Sequence, residues 1–344
     1  MSEAKEHVLM SHGSGGLMMK ELIDKYFLSS YVDTNLYLGD DATVLNNISL
    51  NDGQKLVMST DSYVVSPLFF PGADIGKLAV CGTVNDISTS GAKPVALSIG
   101  FILEEGFALD SLEKICKSIA DTAMEAGVKI VTGDTKVVDA GKCDGCYINT
   151  SGIGILDANL NISGQNIKPG DAILVSGSLG DHGITIMSCR DGLSFSTDLK
   201  SDAAPLNSLV QDIIKVAPDV RAFRDPTRGG IASTLNEFAA QSQVDIIINE
   251  VDVPIKKSVN SACEMLGLDP FQVANEGKMV VVVPADKAEA ALSAMKANKY
   301  GKDAAIIGYA EDSATSSPKV YVQTQYKTKR ILDMLTGEQL PRIC

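Results

Sequence analysis

No stretch of this sequence reaches the ~18 consecutive apolar residues that a membrane-spanning helix needs, and the opening residues, Met1-Ser2-Glu3-Ala4-Lys5, carry no apolar signal core. Both absences point to a cytoplasmic protein that does not enter a membrane. Positive charge is also short. Lys and Arg number 30 against 43 Asp and Glu, a formal net charge of -13 with no concentrated basic surface, which opposes binding to nucleic acid or an anionic lipid surface. An anionic ligand would therefore arrive with a metal ion. Tryptophan is absent, aromatic residues make up 5%, and there are three histidines. Seven scattered cysteines, an odd number, do not form a disulfide framework. The one close pair, Cys143-Asp144-Gly145-Cys146, has neither a second pair nor a nearby histidine to complete a tetrahedral zinc site, so it reads as a turn. Cys81, Cys116, Cys189 and Cys263 lie in helix-like apolar patterns and read as small core residues. No G-x-x-x-x-G-K-[ST] occurs, which excludes a Walker P-loop.

What is present suits an α/β enzyme. A chain of 344 residues is long for one core and suggests two domains, and its thirty glycines imply many tight turns and backbone-lined sites. The turn His12-Gly13-Ser14-Gly15-Gly16 opens a helix with Met19, Leu22, Ile23, Tyr26 and Phe27 on one face. Such a turn presents free backbone N–H groups to phosphate, and Lys20 one turn on adds positive charge. Gly39-Asp40-Asp41-Ala42 precedes a strand, Lys55 to Thr60, that ends at Asp61. A helix from Ile75 to Ser90 contains Asn85-Asp86, a strand runs from Val95 to Leu103, and Asp110 caps a helix reaching Ala126. The strand Val128 to Val131 then delivers Thr132-Gly133-Asp134-Thr135-Lys136, and Tyr147 to Leu156 forms another strand. Lys168-Pro169-Gly170-Asp171 marks the break between domains, taken as 1–160 and 165–324. In the second, Thr227 of Asp225-Pro226-Thr227-Arg228-Gly229-Gly230 caps a helix bearing Ile231, Leu235 and Phe238.

Asp41, Asp61, Asp86 and Asp134 stand apart from ordinary solvated acids, because each follows a glycine turn, ends an apolar strand or interrupts an apolar helix. Carboxylates gathered at one edge repel unless they hold a divalent cation, and Mg²⁺ brings phosphates with it. The sequence ends Leu340-Pro341-Arg342-Ile343-Cys344 after the basic run Tyr326 to Arg330, which reads as a mobile arm over 325–344. Cys344 is expected to have almost no packing and to act as a nucleophile and group carrier. Prenylation would need the cysteine four residues from the end.

Taken together, His12 to Gly16, Gly39 to Ala42, Ser59 to Asp61, Asn85-Asp86, Gly133 to Lys136, Asp225 to Gly230, Asn275 to Lys278 and Pro341 to Cys344 resemble the HypE family of hydrogenase maturation factors. That family belongs with aminoimidazole ribonucleotide synthetase, selenophosphate synthetase and thiamine-monophosphate kinase. The resemblance implies a two-domain α/β (α+β) fold: an N-terminal domain contributing half of a dimer-forming β-barrel, a C-terminal α/β sandwich, and a flexible tail. It implies Mg²⁺ at Asp41, Asp61, Asp86 and Asp225. ATP is implied at Gly13, Ser14, Gly15, Gly16, Lys20, Asp61, Asp86, Gly133, Asp134, Thr135 and Arg228. Chemistry at Cys344 falls to Lys136 and Glu276, although by pattern alone Glu276 reads as a charge at a helix end. The implied reaction turns an S-carbamoyl group on Cys344 into a thiocyanate, the source of the cyanide ligands of [NiFe]-hydrogenase. A HypF-type carbamoyltransferase would be the donor, a HypC/HypD-type iron scaffold the acceptor, and the enzyme a homodimer. The rivals are a thiamine-monophosphate kinase, which has no use for Cys344, and a nucleotide-ordered scaffold for maturation partners.

Overall fold

The computed structural model describes residues 8–13, 15–28, 40–190, 198–335 and 342–344. Ser14, Gly39, Leu340 and Pro341 lie outside the described residues. Eight α-helices occur among the described residues: α1 Leu17–Leu22, α2 Ile75–Thr89, α3 Leu109–Ala126, α4 Asp181–Ser188, α5 Asn207–Val216, α6 Gly230–Ser242, α7 Lys257–Leu266 and α8 Ala288–Ala297. The strands are β1 Thr43–Ser49, β2 Lys55–Tyr63, β3 Phe69–Phe70, β4 Ala73–Asp74, β5 Lys93–Glu104, β6 Lys129–Val138, β7 Cys146–Leu156, β8 Ala172–Val175, β9 Ala222–Arg224, β10 Val244–Asn249, β11 Val280–Val283, β12 Ala305–Asp312, β13 Val320–Gln323 and β14 Lys329–Ile331.

Two sheets organise the chain. The first has the order β1-β2-β7-β5-β6, and the second β14-β13-β10-β12-β8-β11-β9. In β7 every second side chain, from Cys146 through Ile148 and Thr150 to Leu156, is buried, the period of a half-covered strand. That face lies under α2 and α3, where Leu78, Val84, Ile87 and Ile115 are fully buried. The other face stays open and exposes Met58 and Ile153, which are register partners, and Ile102. The second sheet is covered by α6 on one side and by α5 and α8 on the other, so the four-valine strand β11 is buried throughout.

Several expectations change in the structure. Residues 129–138 form one continuous strand paired in parallel with β5, so Gly133 to Lys136 sit inside an exposed edge strand and not in a turn. Ala108 and Gly229, neither bonding through a side chain, hold the cap positions assigned to Asp110 and Thr227. Gly229 and Gly230 take φ of 80° and 61°, turning the chain into α6 through left-handed backbone that favours glycine. Cys116 and Cys189 are exposed, whereas Cys81 and Cys263 are buried as expected. The arm expected from residue 325 begins instead as β14 on the second sheet, with Leu332 buried beside it.

The two sheets are stitched by asparagine. Asn85 on α2 is fully buried; its Nδ2 donates to Ala204 O at 3.1 Å and its Oδ1 accepts from Leu206 N at 2.7 Å. Asn85→Ala would leave both backbone groups buried and unpaired, a cost of about 1–3 kcal/mol. The expected result is a lower Tm with unchanged helix and strand content by circular dichroism. An unchanged Tm would show that the join does not depend on this side chain.

Candidate functional site

Four elements deliver four carboxylates to one place. Asp41 precedes β1, Asp61 lies on the helix-covered face of β2, Asp86 sits late in α2, and Asp225 follows β9 from the second sheet. Asp41, Asp86 and Asp225 each place an oxygen within 4.8 Å of the others. Ser59 Oγ ties the group together, donating to Asp86 Oδ2 at 2.7 Å and lying 3.2 Å from Asp41 O. Tyr63 donates its hydroxyl to Asp61 Oδ2 at 3.1 Å. Burial, then the neighbouring Asp61, Asp225 and Asp41, hold the Asp86 carboxyl well above the usual carboxylate range. Asp225 is raised likewise, by burial first and then by Asp41 and Asp61. Asp41 is pushed up to about 7 by burial, although Arg224 pulls the other way from 3.2 Å. Arg224 is shared with Glu237, so its charge cannot neutralise the cluster. Closely grouped, desolvated oxygens with an excess of negative charge form a donor set that suits a hard divalent cation.

Beside the carboxylates lies a cavity of about 1000 Å³ whose walls include His12, Gly13, Tyr26, Ser62, Arg228 and Cys344. The glycine turn seats directly on the Arg228 turn. Gly15 has φ +78°, and a Cβ there would stand 2.6 Å from Arg228 Cβ. Arg228 Nη1 donates to Gly13 O at 2.9 Å, and Ser233 Oγ donates to Gly15 O at 3.2 Å. Gly13, Gly15, Gly16 and Arg228 are thus brought together, whereas Lys20 pairs with Asp24 at 3.4 Å on the surface.

Cys344 is not loose. Val64 N donates to Cys344 O at 3.1 Å and Ser66 N to Arg342 O at 3.2 Å, while Ile343 is buried and Cys344 packs against the core of the first domain. The expectation of an unpacked thiol fails because Ile343 carries enough apolar surface to anchor the segment. Burial, followed by the nearby Glu276, pushes the Cys344 thiol far above its ordinary value, with Arg228 opposing. Glu276 is 2% exposed in the loop before β11 and is no helix-end charge. Its Oε1 has no hydrogen-bond partner among the described residues, and burial, then Asp225 and Asp202, raise its carboxyl well above normal. The Glu276 backbone N–H donates to Asp202 Oδ1 at 3.1 Å, and Lys278 stands 3.3 Å from Asp202 Oδ2.

Within one chain, Gly133, Asp134, Thr135 and Lys136 are not part of this cluster. The register Asp61, Thr150, Ile99, Gly133 puts them three strands away, about 14 Å at normal strand spacing. Lys136 and Asp134 also point to the open face and pair with each other at 2.8 Å. The Cys143-to-Cys146 turn touches the site through another residue, with Arg342 Nη1 2.7 Å from Asp144 Oδ2. Ser59 opens the Ser59-to-Asp61 motif without a role assigned to it there, and Tyr63 and Asp202 carry no motif of their own and become visible only once the strands are paired.

Residues 39–156 match the AIR synthase related protein N-terminal domain and residues 168–320 its C-terminal domain. A carbamoyl dehydratase HypE from Cupriavidus necator is 48% identical over 335 residues, covering 97% of this chain and 94% of that protein. A crystal structure of hydrogenase maturation protein HypE in complex with ATP superposes with a TM-score of 0.82 at 48% identity, covering 98% of this chain and 100% of the other. A HypE–HypF complex gives 0.85 at 50% identity over 91% of this chain and 99% of that one. With a metal-suited carboxylate cluster, a glycine turn on Arg228 and a docked thiol facing Glu276, the chain belongs to the HypE family of carbamoyl dehydratases, built on the AIR synthase related fold.

Proposed function

We propose that this chain dehydrates a carbamoyl group carried on Cys344 at the expense of ATP, producing the thiocyanate that supplies cyanide for [NiFe]-hydrogenase maturation. The observation that carries the reading is the Cys344 thiol held against the buried, hydrogen-bond-deficient Glu276 beside the carboxylate cluster. A thiamine-monophosphate kinase reading leaves that pairing without a purpose.

Asp41, Asp86 and Asp225, with Asp61 adjacent, would hold Mg²⁺, which supplies charge neutralisation for a triphosphate. The turn Gly13 to Gly16 and Arg228 would orient the nucleotide along the cavity wall. The amide oxygen of S–C(=O)–NH₂ attacks the γ-phosphorus, the bond to ADP breaks, and one nitrogen proton passes to solvent water. The second N–H proton then passes to Glu276 as the C–O bond breaks, leaving S–C≡N and inorganic phosphate. A carboxyl raised by burial is the stronger base once ionised.

Lys136 and Gly133 to Thr135 fit the reaction if a second copy delivers them. The open face with Met58, Ile102 and Ile153, together with the edge strand β6, exposed from Lys129 to Val137, is surface that a homodimer would cover. A HypF-type carbamoyltransferase is the proposed donor and a HypC/HypD-type scaffold the acceptor. No described helix is long and apolar enough to cross a membrane, which is compatible with work in the cytoplasm.

Mass spectrometry of the peptide bearing Cys344 tests the reading. Incubation with a carbamoyl donor system should add one carbamoyl group, and Mg²⁺-ATP should then remove one water; Cys344→Ser should accept nothing. An adduct on Cys143 or Cys146 would overturn it. Glu276→Gln should bind ATP within about twofold of wild type yet lose water at least roughly a hundredfold more slowly, the contribution of a general base. Collapse of ATP affinity would make Glu276 structural instead.

Metal and pH should also be linked. Asp41 rises from the usual 3.8 to about 7 on folding, so its folded form holds a proton that the unfolded form has released. Its stabilising contribution is complete below about pH 4 and is lost as pH rises through 7. Mg²⁺ replaces the lost protons, so the Tm gained on adding it should be larger at pH 8 than at pH 5. An equal gain at both would separate the cluster from metal binding.

A further inference from the structure

The Cys344 segment is gripped from two sides. Along one, Arg342 O and Cys344 O accept from Ser66 N and Val64 N in an antiparallel register. The carbonyl between them points the other way, and His182 Nε2 meets Ile343 O at 2.7 Å. His182 is fully buried at the start of α4 and stands edge-on to Phe70, with ring centroids 5.6 Å apart. Its burial favours the neutral ring. A carbonyl can only accept, so Nε2 carries the proton. Nδ1 is then an acceptor, 2.8 Å from Ser201 Oγ, which itself accepts from Ala203 N at 3.2 Å. Bond direction therefore runs one way, from Ser201 through His182 to Ile343.

The segment carrying His182 is sewn to the segment carrying Glu276. Gly180 N donates to Asn275 Oδ1 at 2.7 Å, and Gly183 N donates to Ala274 O at 3.1 Å. Asn275 is fully buried and also donates to Pro226 O at 2.9 Å. The imidazole that holds Ile343 and the carboxyl that faces Cys344 consequently move as one body. We propose that His182 is the inner latch of the Cys344 segment, a positioning residue that binds the Ile343 carbonyl when the segment is in and so sets the thiol, or the group it bears, against Glu276. The value of this latch to catalysis rests on the proposed dehydration; the latch itself does not.

Three variants test it. His182→Leu keeps the apolar bulk but has no donor, His182→Gln keeps an N–H, and Ser201→Ala removes the group that fixes the tautomer. Circular dichroism and ATP binding check that each is folded. The readout is the rate at which iodoacetamide alkylates Cys344 in the unmodified full-length protein, followed by mass spectrometry of its peptide. His182→Leu should speed alkylation roughly tenfold, the loss of about one hydrogen bond, with His182→Gln near wild type and Ser201→Ala between them. After carbamoylation, water loss should slow in the same order while carbamoylation itself does not. If His182→Leu does not fold, the ordering of wild type, His182→Gln and Ser201→Ala decides. Equal alkylation rates in the folded variants, or His182→Gln as fast as His182→Leu, would overturn the latch. If the ordering holds but the wild type never loses water with Mg²⁺-ATP, the proposed dehydration fails and the latch stands. Water loss in the wild type with unchanged alkylation across the variants overturns the latch and leaves the dehydration standing.

Discussion

Mutual repulsion among buried carboxylates is the constraint around which this fold is arranged. Asp41, Asp61 and Asp86 come from the first sheet and its covering helix, and Asp225 comes from the second sheet. Their oxygens converge within 4.8 Å for three of the four. Burial and mutual charge both oppose ionisation there. Without a cation the group stays assembled by holding protons, as the raised carboxyls do, and by having its supports fixed through neighbouring residues. Asn85 bonds α2 to the 204–206 backbone, and Asn275 bonds the loop before β11 to both Gly180 and Pro226. Both side chains are fully buried, where an unmet amide would be costly and a fully met one is specific. Arg224 contributes positive charge, but it divides that charge between Asp41 and Glu237. The site is thus held in place by hydrogen bonds of the residues next to its carboxylates, against an electrostatic strain that a divalent cation would relieve.

How much of this is legible in the sequence depends on the range of the interaction. The strands β2, β5 and β7 and helices α2 and α3 follow local periodicity and are readable to within a few residues. Residues 222–224 and 329–331 are strands because longer neighbours recruit them, and three residues carry no period of their own. Residues 132–136 fall past the strand expected over 128–131 because Gly and Asp are poor strand formers, yet pairing with β5 overrides that preference. The acidic residues stand out by position, and Asp41, Asp86 and Asp225 converge. Lys136 does not join them, because strand order places β6 three strands from β2, and no local sequence pattern reveals strand order. Glu276 is the converse case: a polar stretch looks solvated, and only the second sheet closing over it makes it a buried acid.

The docked thiol sets a limit on where each half of the chemistry can occur. Burial and Glu276 raise the Cys344 thiol above its ordinary value while the segment is held by Val64, Ser66 and His182, which disfavours the thiolate there. A thiol in that condition is a poor nucleophile. On the proposed reaction, acceptance of a carbamoyl group would be favoured with the segment out of this pocket and the thiol in water. Once carbamoylated, the sulfur has no proton to lose, and the neutral group no longer pays the desolvation cost that charge would incur beside Glu276 and Asp225. The same pocket that suppresses the free thiol consequently tolerates its carbamoyl derivative. The protonated thiol and its carbamoyl derivative are both neutral, so burial beside Glu276 disfavours only the thiolate and admits either neutral form.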